Sequence, residues 1–284
     1  MNDTRQGHAP TDLKDQVEAR YGTDYLKWKA WHEIKFGTRT RLDAKYFAAE
    51  LKKTKATFAL KSKVLEIGFG TGSFLTHGKE QKWEMFGTEV NNDLVERARR
   101  RGFNVFHTGD LRTFSDSIFD LIVAFDVLEH IPQDQLGDFL DEIKRVLKSG
   151  GYFIARFPNG DSPFGLINQN GDITHVTTIG SEKAKFLAAR LGVEVVYLGG
   201  EAHPLSGTSL LMFSHRLVAL PIRALINLLV NLMFIPRANI AFCSANLIMI
   251  LKISKSAMPE IATDLNANRV NVQDSDGSSG ANCK

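Results

Sequence analysis

Three glycines alternate in Glu66-Ile67-Gly68-Phe69-Gly70-Thr71-Gly72, directly after the apolar run Lys63–Ile67. That spacing suits a strand-to-helix turn whose backbone bends sharply and lets a ligand approach the main chain. A dinucleotide fingerprint would place its third glycine where Ser73 stands, and a phosphate loop would end in Gly-Lys-Ser/Thr; neither is present. The acid Glu66, just before the first glycine, repels a pyrophosphate and suits a cationic or amino-bearing ligand. A second acid, Glu89, ends the next apolar run, about 20 residues past the turn, where a carboxylate can accept both hydroxyls of a ribose. Asp110, in Gly109-Asp110-Leu111, follows the third such run and is placed to accept the exocyclic amine of an adenine. Phe69, Val90 and Leu111, beside these groups, are candidate apolar linings of the same site.

Two histidines are candidate bases. His130 follows the fourth apolar run and His175 lies in the Gly171–Thr177 loop after the fifth. Histidine is the side chain that most often takes a proton in catalysis. Each also has a structural reading, His130 as a cap of the next helix and His175 as a loop anchor. Asn159 and Asp161 are candidate acceptor contacts. Asp161 and Asp172 sit beside glycine or asparagine, as turn residues do. Near the N-terminus, Tyr25, Trp28 and His32 share a helical face by their spacing. Trp28 and His32 are therefore candidates for the wall of an acceptor pocket, with packing against a sheet as the rival role. No metal-ligand spacing stands out.

These groups need strands to carry them. Apolar runs at 63–67, 83–90, 103–107, 120–125, 152–157, 193–198 and 246–253 predict seven strands. Between them, helical patterns run over Asn92–Arg101, Gln133–Leu147 and Ser181–Leu191. Strands apolar on both faces and alternating with helices predict a doubly wound, mostly parallel α/β sheet. The last strand follows a long helical insertion, 205–240, where an antiparallel strand can enter. Upstream, residues 1–10 read as a mobile arm. Patterns at Asp12–Arg20, Asp24–Phe36 and Thr40–Lys53 make 11–62 a helical cap. Residues 255–284 are polar and read as a disordered tail.

A net charge of +3 does not call for a nucleic-acid partner. Cys243 and Cys283 are far apart and form no disulfide framework, which fits a reducing cytoplasm. The polar start of the chain has no apolar signal core, so secretion is not expected. Residues 217–235 are strongly apolar but interrupted by Pro221, Arg223, Asn227 and Asn231. A helix starting at Pro221 and stopping before Pro236 is about 15 residues, short of the roughly 20 that span a bilayer. Burial or a homodimer contact is expected ahead of peripheral contact with the inner membrane face.

Taken together, Glu66–Gly72, Glu89, Asp110 and Phe125-Asp126-Val127-Leu128-Glu129-His130-Ile131 resemble the class I S-adenosylmethionine-dependent methyltransferases over about residues 60–160. The resemblance implies a Rossmann-like seven-stranded sheet with an antiparallel last strand. It implies that Gly68, Gly70 and Gly72 line the methionine and ribose parts of S-adenosylmethionine. Glu89 would hold the ribose, Asp110 the adenine, and Phe125 and Asp126 the methionine end, with S-adenosylhomocysteine as product. More narrowly, 156–165 and 171–177 resemble methyltransferases of bacterial surface-polysaccharide pathways. The expected acceptor is then a hydroxyl on a sugar of a surface glycan or its precursor. Alternatives are a quinone, phenol or amine, or a non-catalytic scaffold on the same fold.

Overall fold

The computed structural model describes residues 20–236 and 239–254. The expected helix at Asp12–Arg20, the arm and the tail lie essentially outside the described residues. The strands are β1 (Lys63–Ile67), β2 (Glu84–Glu89), β3 (Asn104–His107), β4 (Phe119–Phe125), β5 (Leu147–Pro158), β6 (Glu194–Gly200) and β7 (Asn246–Lys252). They form one sheet in the order β3-β2-β1-β4-β5-β7-β6. The first five run parallel, and β7 runs antiparallel to both neighbours. The doubly wound sheet with an antiparallel last strand is therefore present as expected.

β1 and β4 are buried over almost their whole length, because each face of the sheet has its own apolar layer. One layer gathers Leu65, Ile122, Phe153 and Phe157 with Leu140 and Leu187. The other gathers Val64, Phe74, Leu94, Val123 and Phe47. Strand order reverses between β1 and β4, and in such sheets a ligand crevice opens at the carboxyl ends of the strands flanking that reversal. Ile67 pairs with Ala124 there, so the glycine turn and the segment after β4 face each other across it.

The helices are α1 (Thr23–Trp28), α2 (Arg41–Lys52), α3 (Ser73–Glu80), α4 (Asn92–Arg100), α5 (Leu136–Val146), α6 (Pro163–Gly171), α7 (Ser181–Leu191) and α8 (Leu210–Met233). Thr40 caps α2 reciprocally with Asp43, a capping box. Two helices differ from expectation. The first stops at Trp28 instead of running to Phe36. Ala30 is left-handed (φ 53°), the Ala30 amide donates to the Lys27 carbonyl and the Trp31 amide donates to the Leu26 carbonyl. This is the Schellman closure of a helix end, and it turns Trp31 inward.

The second difference is α8. It runs 24 residues, straight through Pro221. An interior proline forfeits one backbone hydrogen bond, and the remaining turns carry the helix across it. The expected burial fails: none of its side chains is buried among the described residues.

Ala30 sits where glycine is the usual residue. A left-handed L-residue costs about 1–2 kcal/mol, partly offset in glycine by about 0.5–1 kcal/mol of chain entropy. Ala30→Gly should therefore leave the melting temperature unchanged or slightly raised. A clear drop in a thermal melt would show that Ala30 does not close α1 in this way.

Candidate active site

The glycine turn is shaped by what lies against each glycine. Gly68, Gly70 and Gly72 all have positive φ. A Cβ on Gly68 would meet Val127 at 2.8 Å, and one on Gly70 would meet the Trp31 ring at 3.2 Å. Gly72 is the left-handed N-cap of α3, and a Cβ there would meet Phe36 at 2.4 Å. Gly72 therefore seats Phe36 and, unlike Gly68 and Gly70, lines no cleft.

Glu89 ends β2 and is buried. Its carboxylate accepts the amides of Gly70 (3.0 Å), Val90 (2.8 Å) and Asn91 (3.1 Å). Burial raises its pKa, and these three amides oppose the rise. Glu66 is also buried, and its Oε2 has no partner among the described residues. Burial pushes its pKa well up. An unpartnered buried carboxyl oxygen is costly unless a ligand supplies a donor.

Two clefts open on this framework. One, of about 960 Å³, is lined by Gly68, Glu89, Val90, Asp110, Leu111 and Ile131. The other, of about 840 Å³, is lined by Glu66, Gly68, Phe69, Gly70, Phe125, Trp28 and Tyr46. Tyr25, Trp31, Gly68, Asp126 and His130 line both. The junction is where a group bound in one cleft can meet a group bound in the other.

Asp110 stands at the lip of the first cleft, with its carboxylate forked onto Arg112 (2.7–3.0 Å) and accepting the Arg112 amide. The Arg112 guanidinium holds its pKa below the usual carboxylate value. Asp126 is left-handed (φ 59°) and forms a two-pronged ion pair with Arg156, whose guanidinium also donates to the Tyr46 hydroxyl at 3.1 Å. Phe125 stacks on Phe47 at 5.7 Å.

His130 and His175 come together, with ring centroids 4.6 Å apart. His130 Nδ1 lies 3.0 Å from Thr174 Oγ1 and 3.3 Å from the Thr174 carbonyl. The Thr174 hydroxyl itself donates to Asp172 (2.6 Å), so Nδ1 is assigned as the donor and Nε2 keeps a lone pair. Burial and the neighbouring His175 lower its pKa to about 4, so the ring is neutral at physiological pH. His175 Nε2 lies 3.5 Å from Asp172 and 3.9 Å from Glu129. Burial opposes the charge on Asp172, yet Lys29 at 2.8 Å and Thr174 hold its carboxyl well below the usual range.

Glu129, His130 and His175 present ligand atoms within 4.8 Å of one another, a metal-sized cluster that the sequence spacing did not announce. Both Glu129 oxygens are unpartnered among the described residues, and burial raises its pKa well above the ordinary carboxyl value.

Three further expected roles change. Asn159 lines neither cleft: its amide donates to the Ala241 and Ser244 carbonyls and its oxygen accepts the Asp161 amide. Asp161 accepts the Ser181 amide at the start of α7. Both are structural, because the loop after β5 must be tied down where β7 begins. His32 points outward to Glu33, because α1 ends before it. Trp31 takes the place expected of His32, while Trp28 does line the second cleft and is 56% exposed. Trp31, Lys29, Glu129, Tyr46 and Arg156 carried no assigned role in the sequence. The proximity of Glu129 to His130 was the one local signal.

Residues 65–155 match the family described as methyltransferase domain. Over this stretch, about a third of the chain, the sequence is similar to that family. An uncharacterized protein of Methanocaldococcus jannaschii is 31% identical over 103 residues, 35% of this chain. The match spans 42% of that curated relative, less than half its length. Among solved structures, an S-adenosylmethionine-dependent methyltransferase from Archaeoglobus fulgidus aligns with TM-score 0.50 and 22% identity, over 84% of this chain and 97% of its own. The 1,6-didemethyltoxoflavin-N1-methyltransferase of Burkholderia thailandensis, solved with S-adenosylhomocysteine, aligns with TM-score 0.51 and 14% identity, over 87% and 92%. These likenesses establish the fold. S-adenosylmethionine is the cofactor that the sequence resemblance implies. The residues fit it: the glycine cradle admits a backbone-close ligand, and the Glu66 oxygen lacks the donor an ammonium would supply.

Glu89 is tied to the glycine turn through the Gly70 amide and lines the first cleft, so Glu89→Ala should weaken S-adenosylhomocysteine binding at least tenfold, about 1.4 kcal/mol. Titration calorimetry on the folded variant measures this. Unchanged affinity would remove Glu89 from the site.

Proposed function

We propose that the chain is an S-adenosylmethionine-dependent O-methyltransferase acting on a small hydroxyl-bearing acceptor, a sugar of a surface glycan or its precursor. The observation that carries the reading is His130: a neutral imidazole, its Nδ1 engaged and its Nε2 without a hydrogen bond among the described residues, where the two clefts join. In this reading Glu89 takes the ribose, Glu66 the ammonium and the Arg156 guanidinium the carboxylate of the cofactor. Asp110 stands by the adenine. When bound, the cofactor would supply an activated methyl on a sulfonium, open to in-line attack by the acceptor oxygen with the neutral thioether as leaving group.

The protein's work is positioning and proton removal. As the new carbon–oxygen bond forms, the hydroxyl proton becomes strongly acidic, so even a weakly basic His130 Nε2 can take it and pass it to solvent. Asp172, charged and fixed by Lys29, stabilises positive charge on the histidine pair. Tyr25, Trp28 and Tyr46 give the acceptor cleft aromatic faces, and Asp43, Asn168 and Asn246 give it polar groups. That mixture suits a sugar, whose faces are apolar and whose edges are hydroxylated. Trp28 stands at the cleft with more than half its surface exposed, so it is available to a ligand and not consumed by the core.

Incubation with labelled methyl donor and fractionated cell extract should place label in polysaccharide or lipid-linked sugar. Label confined to phenolic or protein fractions would refute the glycan acceptor. With an acceptor in hand, His130→Ala should lower kcat by about 10²–10⁴. Because protonation removes the base, wild-type kcat should fall as pH drops through about 4 and be level toward neutrality. A rate that keeps rising through pH 6–7, where an unperturbed histidine titrates, would assign the base elsewhere.

A further inference from the structure

The apolar helix α8 is built inside out for a soluble protein. Its polar stripe faces the domain. Asn227 Oδ1 accepts the Cys243 amide (2.8 Å), and Asn231 both donates to the Ile240 carbonyl (2.9 Å) and accepts the Ile240 amide (2.8 Å). Near the other end, Arg216 donates to the Pro204 carbonyl. The outward face carries Leu225 (55% exposed), Leu228 (62%) and Leu232 (68%). Between Leu217 and Ile235 the single ionisable side chain is Arg223, which lies on the inward stripe.

Several observations say what covers this face. At about 100° per residue, the exposed apolar side chains from Leu217 to Met233 span nearly half the circumference. A seam for one partner helix is narrower; a second copy of α8 would leave leucines uncovered on either side. A bilayer covers all of it. The helix is long and apolar enough to cross a bilayer, but Arg216 near its start is held to Pro204 and Asn231 near its end to Ile240, contacts along its length that fit a helix lying on the surface of its own domain. Beside the chain leading into it, Arg41 and Lys45 flank Gly207, and both are exposed. A positive rim beside an uncharged apolar face matches the head groups and acyl boundary of an anionic membrane.

The helix also has a fixed place relative to the clefts. It belongs to the insertion between Gly200, which ends β6, and Asn246, which starts β7. Gly200 pairs with Leu247 and Asn246 with Pro158 at the end of β5, so the insertion leaves and re-enters the sheet at the edge that carries the glycine turn. Asn246 itself lines the acceptor cleft.

We propose that α8 lies flat on an anionic lipid bilayer, its outer face in the acyl boundary, and brings the acceptor cleft to the head-group layer. This rests on the proposed methyl-transfer reading only for the use made of the cleft; the docking itself does not.

The full chain should co-sediment with vesicles of phosphatidylcholine and phosphatidylglycerol, and less with phosphatidylcholine alone. The Leu225→Glu/Leu232→Glu variant should bind at least tenfold more weakly, with S-adenosylhomocysteine affinity unchanged as the check on folding. Arg41→Glu/Lys45→Glu should lose only the preference for the anionic lipid. Wild-type protein that stays in the supernatant with both vesicles overturns the proposal, whether or not the variants fold. So does a stable dimer in light scattering that the leucine substitutions dissociate, since α8 would then be covered by a second copy. Vesicle binding without cofactor binding would sink the methyltransferase reading and leave the docking intact; the reverse result would do the opposite.

Discussion

The Glu89 carboxylate is the constraint on which the cofactor side depends. It ties the end of β2 to the turn that leaves β1 through the Gly70 amide, while the Val90 and Asn91 amides of its own segment fix the carboxylate. A buried carboxylate is tolerated only when such donors surround it. The fixed carboxylate holds the glycine turn at Gly70, and only glycine allows that shape beneath Trp31 and Val127. The crevice between β1 and β4 then opens on a rigid floor.

The acceptor side is assembled from more distant parts. Lys29 from the N-terminal segment, Glu129 and His130 after β4, and Asp172, Thr174 and His175 from the loop after α6 meet in one polar knot. Its charges are balanced across segments more than a hundred residues apart. A site made this way is specific because each member fixes another: Lys29 fixes Asp172, Asp172 fixes Thr174, and Thr174 sets the tautomer of His130. The Asp126–Arg156–Tyr46 chain does the same on the opposite wall.

The parallel strands were legible because each is a short apolar run ending at a turn signal, and their bounds moved by only a few residues, apart from a longer start to β5. The acids Glu66 and Glu89 were legible as cleft-lining groups because they sit at strand ends, where geometry assigns them a direction. The acceptor side was not, since it depends on tertiary closure. Nothing local marks Ala30 as left-handed, so α1 was read too long and His32 was credited with the place Trp31 holds. Asn159 and Asp161 looked like ligand contacts because polar loop residues near a site share a composition with polar loop residues that merely tie loops together. In α8, Pro221 was read as a helix start, and Arg223, Asn227 and Asn231 as interruptions of an apolar run expected to be buried or in a dimer contact. Only contacts with Ile240 and Cys243 reveal that the polar residues face the domain.

The slot occupied by β7 orders the chain's own construction. Among the described residues β6 pairs with no strand but β7, and β7 also pairs with β5. The strand that fills this slot is made after β5, β6 and α8. During synthesis, therefore, β6 has a bare edge and β5 an open one until the apolar helix has already been made. The apolar helix is thus made, with its outer face bare, while the sheet is still open on both sides of the slot that β7 fills.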